Sequence, residues 1–169
     1  MPLPTRLLAL GLACAALAAA GCGDSENEAA APAATATETA APEPAPVATK
    51  PEVKVPKGKA PKRLVKKDLR PGNGPAVQPG QFVQVQYVGV SFKNGRQFDA
   101  SWDTGEPFAF QLGAGQVIPG WDSGIAGMKV GGRRRLVIPP DQAYGPQGSP
   151  PAIGPNETLV FVVDLLAVQ

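Results

Sequence analysis

"VIPGWDSGIAGM", residues 117–128, sets a tryptophan among three glycines and a proline, where backbone propensity on its own barely supports a helix. Each interior glycine costs a helix about 1 kcal/mol relative to alanine, so a short helix here has to be held by packing. The spacing supplies the means, because Trp121, Ile125 and Met128 recur at i, i+4 and i+7 on one helical face. Trp121 is then the foot on which the segment stands. Gly120, Gly124 and Gly127 permit close approach to the neighbours and a quick end.

The flanks indicate what the helix stands on. From about Leu64 the chain breaks into short alternating segments separated by turn signals, the pattern of antiparallel sheet. In "FVQVQYVGV", residues 82–90, Val83, Val85 and Tyr87 alternate with Gln84 and Gln86, so one face is expected buried and the other wet. "KNGR", residues 93–96, predicts a type I′ hairpin turn, with positive φ at Asn94 and Gly95, leading into a strand with Phe98 and Asp99. Phe108 and Phe110 share a strand face, "RRRLVIP" turns Leu136 and Ile138 inward, and "TLVFVVDLLAV" reads as a long central strand lined by Leu159, Phe161, Val163 and Leu165. The expected fold class is α+β, one short helix lying across a curved antiparallel sheet of about five strands. Residues 139–157, "PPDQAYGPQGSPPAIGPNE", lack periodicity, but Tyr144, Ile153 and the prolines predict an ordered flap over one end of the sheet.

Composition divides the chain into three parts: 1–22, 23–63 and 64–169. All ten aromatic residues lie between Phe82 and Phe161, in the last part. "RLLALGLACAALAAAGC", residues 6–22, follows one arginine with a small apolar run of signal-peptide length, too short to span a bilayer comfortably. It reads as an export signal whose end resembles a bacterial lipobox, with Cys22 as the lipid acceptor and the outer face of the cell membrane as the destination. Ordinary cleavage near Ala16–Ala18, leaving a soluble periplasmic or secreted protein, is the alternative. Residues 29–49 contain ten alanines and four prolines and no aromatic, the composition of a disordered tether.

Lys50 to Arg70 then carries nine bases against Glu52 and Asp68. Such a run is either a solvated linker or a patch for an anionic envelope surface. Without aromatics between its lysines it lacks the stacking platform of a single-stranded nucleic-acid site, so no nucleic acid partner is expected. The absence of histidine, with Cys14 and Cys22 the only cysteines, leaves Cys/His metal sites, Cys-His dyads and Ser-His-Asp triads without their parts. No motif calls for a metal or cofactor.

Four blocks in order, "VQVQYVGV", "NGRQFDAS", "PFAFQLGAGQVIPGWDSGIAGMKVGGRRRLVIPPDQAYGPQG" and "TLVFVVDLLAV", resemble an FKBP-type peptidyl-prolyl cis-trans isomerase over about residues 64–169. The resemblance implies a half-barrel of antiparallel strands wrapped around one helix, with an aromatic-lined cavity between them. It implies Trp121 as the cavity floor, and Tyr87, Phe98, Phe108, Val117, Ile118, Tyr144, Ile153 and Phe161 as further substrate-binding residues. Asp99, Tyr144 and Trp121 carry the catalytic role, with the Ile118 N–H and the Tyr144 hydroxyl bonding peptide carbonyls and Asp99 at the rim. Thr104, Ser149 and Ala152 depart from the family's usual arginine, histidine and larger aliphatic residue, and Arg134 is a candidate replacement partner for Asp99.

The implied function is isomerisation of Xaa-Pro bonds during folding of exported proteins, with proline-containing unfolded chains as partners. The alternative is a non-catalytic peptide-binding holdase on the same fold. For any one of these rings taken singly, core packing is the bland reading.

Overall fold

Two ten-residue strands carry the architecture. The strand Phe82–Ser91 pairs antiparallel with Leu159–Val168 along nearly its whole length, Val83 opposite Val168 and Ser91 opposite Leu159. In the computed structural model, which describes residues 49–169, six strands form one antiparallel sheet. In chain order they are β1 (Val65–Arg70), β2 (Phe82–Ser91), β3 (Gln97–Ala100), β4 (Phe108–Gln111), β5 (Arg133–Ile138) and β6 (Leu159–Val168), and the helix α1 spans Pro119–Ile125. The sheet order is β1-β5-β6-β2-β3, with β4 also paired to β2. The signal segment, Cys22 and the tether up to residue 48 lie outside the described residues.

Inward alternation builds the core as expected. Val83 and Val85 from β2, Leu136 and Ile138 from β5, and Leu159, Phe161, Val163 and Leu165 from β6 bury against Trp121, Ile125 and Met128. The glycines of α1 explain how so weak a helix holds. A Cβ on Gly120 would lie 2.3 Å from Ile138 Cγ2, and one on Gly124 would lie 2.7 Å from Leu136 Cδ1, so α1 rests on β5 at a distance only glycine allows. Gly127, at φ +74°, turns the chain away just past the helix. Replacing Gly120 by alanine gains helix propensity but forces Ile138 aside, and the overpacking, about 1–3 kcal/mol, outweighs the gain. A lowered denaturation midpoint is the expected result, and an unchanged one would mean that the helix has room to move.

The second face of the sheet is not wet. Val88, Val90, Ala100, Val137 and Val160 form a second buried cluster, roofed by Val53, Val55, Phe92 and Trp102. Alternate positions of β2 and β6 are apolar on both faces, and that surface needs a cover. Half of the cover, Val53 and Val55, comes from residues that composition assigned to the linker. Lys50 Nζ reaches Asp103 Oδ1 at 2.5 Å, Arg133 Nη2 donates to Thr49 O at 3.2 Å and Arg135 Nη1 to Lys54 O at 3.3 Å. Residues 49–55 are thus a strap on the folded domain, and the boundary expected at residue 63/64 lies farther toward the N-terminus. Val53 and Val55 carried the signal, a two-residue apolar period that the surrounding lysines obscured.

Under the strap, Asp164 is fully buried and is held by Arg133, Nε to Oδ1 at 2.6 Å and Nη2 to Oδ2 at 2.9 Å. The two residues are ladder partners between β5 and β6.

The turn after β2 also differs from expectation. Only Gly95, not Asn94, has positive φ (+72°), and the Gly95 N–H donates to Ser91 O while the Ser91 N–H donates to Arg96 O, both at 2.9 Å. The loop is therefore wider than a two-residue type I′ turn. The flap is ordered by its own bonds. Ser149 and Ile153 exchange backbone hydrogen bonds at 2.9 and 3.0 Å, and Glu157 accepts from the Gly154 N–H at 2.6 Å and from the Ser91 hydroxyl.

Candidate active site

The concave face of the sheet, the N-terminal end of α1 and the flap enclose a cavity of about 510 Å³ that opens to solvent. Trp121 is its floor, only 5 % exposed. Around the indole stand Tyr87 from β2 (ring centroids 5.0 Å apart, 81° between planes), Phe161 from β6 (5.3 Å, 86°) and Phe108 from β4 (6.1 Å, 75°). Phe110 supports the indole from within the core at 5.7 Å. Phe98 from β3 meets Phe161 edge to face at 5.5 Å. These edge-on arrangements suit the ring quadrupoles and leave the indole as an apolar base for a ligand.

Asp99, Val117, Ile118 and Tyr144 complete the expected lining, and Gly115 and Gln116 are additions. Gln116 accepts from the Gln111 N–H at 3.0 Å, which closes the loop after β4. Gly89 was missed as well. It faces Asp99 across one ladder and Phe161 across the other, and a Cβ there would lie 2.7 Å from both Phe161 Cε1 and Phe98 Cζ. The two rings fold over bare backbone. The glycine that interrupts the valines of "VGV" was the available signal.

Ile153 does not belong to the wall. It is 4 % exposed and lies in the main core, because the Ser149–Ile153 bridge turns the flap back toward α1 and the sheet. Thr104, Ser149 and Ala152 also lie off the cavity lining. Thr104 instead donates its hydroxyl to Ser101 O at 2.8 Å.

The partner of Asp99 is Tyr87, whose hydroxyl donates to Asp99 Oδ2 at 2.6 Å. Arg134 is engaged elsewhere, with Nε and Nη2 on the Asp68 carboxylate at 2.5 and 3.2 Å, and Nη1 on the carbonyls of Gly124 and Ala126 at 2.9 and 3.3 Å. The hydrogen bond from Arg134 holds the Asp68 carboxyl below its usual range, so this pair ties β1 to β5 and closes the end of α1. Burial, and then the hydrogen bond to Asp99, raises the Tyr87 phenol above its ordinary value. Burial, with the charge of Asp99, does the same to Tyr144.

The polar inventory is short. It offers two phenols kept protonated, one carboxylate, the Gln116 amide, and the Ile118 N–H, to which no backbone carbonyl among the described residues is bonded. Among those residues no group of three or more His, Cys, Asp or Glu side chains is placed to hold a metal ion. Such a site can seat an apolar ring, strip water from it and bond flanking carbonyls.

The family model described as "FKBP-type peptidyl-prolyl cis-trans isomerase" matches residues 74–166. The chain is 58 % identical over 120 residues to the "FK506-binding protein" of Streptomyces anulatus, a match covering 70 % of this chain and 97 % of that protein. It is 49 % identical over 118 residues to the "Probable FK506-binding protein" of Corynebacterium glutamicum, covering 70 % and 98 %. Among solved structures, AtFKBP13 matches with a TM-score of 0.60 at 36 % identity, over 65 % of this chain and 96 % of that one.

Proposed function

The chain belongs to the FKBP-type peptidyl-prolyl cis-trans isomerases and acts on proline-containing polypeptides, and from this premise we propose that the cavity over Trp121 accelerates prolyl isomerisation chiefly by drying the amide. The observation that carries the proposal is the open cavity whose floor and walls are rings from five separate elements.

Turning an amide costs about 18–20 kcal/mol because resonance is lost, and an Xaa-Pro bond in water takes tens to hundreds of seconds. No bond is made or broken. Millisecond turnover requires a barrier lower by roughly 6–7 kcal/mol, at about 1.4 kcal/mol per decade of rate. The planar amide is more polar than the twisted one and is better solvated by water. Water removal therefore raises the ground state more than the transition state, which is differential stabilisation.

In this mechanism the proline ring sits on Trp121, between Tyr87, Phe108 and Phe161. The Ile118 N–H and the Tyr144 hydroxyl hold flanking carbonyls, each worth about 1 kcal/mol net. Asp99, oriented by Tyr87, faces the carbonyl that swings. The test is the cis-to-trans conversion of a short Xaa-Pro peptide, with acceleration by the wild-type chain expected. No acceleration, with binding to unfolded protein retained, would leave only the holdase reading.

The rate should be independent of pH from about 6 to 9. The chain has no histidine, and both phenols are raised above their usual value of about 10, so neither loses its proton in that window. The sign for stability follows from linkage. A phenol with a raised pKa in the folded state favours folding below the unfolded value of about 10, and loses that contribution as pH climbs beyond it. A sigmoidal pH–rate profile centred between pH 6 and 9 would contradict this assignment of donors.

The proposed setting is the outer face of the bacterial cell membrane, with a lipid on Cys22, a tether to residue 48 and exported chains as clients. Membrane-fraction retention lost in a Cys22→Ser variant is the expected result, and unchanged retention would favour the soluble form. Of the exposed bases between Lys50 and Arg70, Lys57, Lys59 and Lys62 are taken as the ones offered to an anionic envelope polymer. Exchanging them for glutamine tests that role without removing the strap, which a deletion of residues 50–63 would destroy.

A further inference from the structure

The ladder between β2 and β3 ends one residue short of Tyr87. Val88 pairs with Ala100 and Gly89 with Asp99, and the next residue, Ser101, has already entered a 3-10 turn over Ser101–Asp103. The part-buried Tyr87 N–H at that point needs another acceptor. Ser101 supplies it from its side chain: its Oγ accepts the Tyr87 N–H at 2.9 Å and donates to Gln86 Oε1. Ser101 and Gln86 are 5 % and 8 % exposed, so the three-membered chain is shielded from water and its geometry is exacting. The Thr104 N–H and hydroxyl both donate to Ser101 O, at 3.2 and 2.8 Å, which fixes the turn from the other side.

Two residues before Ser101, on β3, stands Asp99, the acceptor for the Tyr87 hydroxyl. Ser101 therefore joins the backbones of the two residues whose side chains meet over the cavity. We propose that Ser101 is a positioning residue of the isomerase site, its hydroxyl standing in for the backbone acceptor that β3 no longer offers the Tyr87 N–H and so setting the Tyr87–Asp99 pair. It touches no substrate, and its effect runs through Tyr87. The inference rests on the reading above, in which that pair faces the turning carbonyl.

The test is a double-mutant cycle in the full chain, read as kcat and KM for an Xaa-Pro peptide at equal folded concentration, with circular dichroism as the check on folding. Ser101→Ala should lower kcat about tenfold with KM changed less than about twofold, the mark of an interaction expressed in the transition state. In a Tyr87→Phe background the same substitution should lower kcat no further. A solely structural serine would change the melting temperature and leave kcat per folded molecule unaltered, or would lower it equally in both backgrounds, and either result overturns the proposal. Tyr87→Phe with wild-type kcat overturns the proposal and the role given to the pair. Reduced kcat in Tyr87→Phe beside normal kcat in Ser101→Ala overturns the proposal alone. Should Ser101→Ala fail to fold, Gln86→Met, which removes the acceptor for the serine hydroxyl, should show the same kcat loss in smaller degree while Gln86→Glu retains activity. Wild-type kcat in Gln86→Met then counts against Ser101.

Discussion

Trp121→Leu is expected to lower kcat/KM for an Xaa-Pro peptide by roughly 10–100-fold, or about 1.4–2.7 kcal/mol of transition-state stabilisation. Leucine keeps the position apolar and occupies part of the volume, so the domain stays folded although less stable. What it loses is the flat base that touches Tyr87, Phe108 and Phe161 at once, and with it the seal that keeps water from a seated proline. Because drying acts on the difference between planar and twisted amide, most of the loss should fall on kcat. Kinetics at equal folded concentration provide the check. An unchanged kcat/KM would mean that the indole serves the core and that catalysis lies elsewhere.

Asp164→Ala is the substitution expected to hurt stability most, by about 3–5 kcal/mol, because it leaves the Arg133 guanidinium without its bidentate partner beneath the strap. Arg70 approaches the same carboxylate at 3.6 Å and, at its more exposed position, can turn to water. Arg133 is less free, since it also holds Thr49 O and so links the ion pair to the strap. Replacing both partners, Arg133→Met with Asp164→Leu, should recover most of the loss, as paired apolar replacements of buried ions often do. Urea unfolding of the single and double variants measures this. A single variant within about 0.5 kcal/mol of wild type would show that water reaches the guanidinium despite the strap.

The two substitutions probe opposite faces of one sheet, and the faces differ in how well they could be read. The inner face was legible because it depends on local periodicity: alternation in β2 and β6, the i, i+4 repeat of Trp121 and Ile125, and glycines just where α1 meets Ile138 and Leu136. The rings of the cavity were legible through the four ordered blocks. The outer face was misread at its cover, because Val53 and Val55 lie among lysines and prolines and their burial depends on Val88, Val137 and Val160, far along the chain. Ile153 was misplaced for a related reason, since its register within the flap depends on a pairing with Ser149 that carries no periodic signal.

Residue order alone was enough to specify an antiparallel sheet, a helix held by an indole and the absence of histidine chemistry, since each rests on side-chain type and short-range spacing, while the aromatic site came through the family resemblance of four ordered blocks. Folding in three dimensions was needed to assign Tyr87 rather than Arg134 to Asp99, to place Ser101 in the gap of a ladder and to lay residues 49–55 over the second face. Those outcomes depend on which distant atoms arrive within about 3 Å of one another, a condition that hydrogen bonds and buried charges require and that spacing along a chain does not encode.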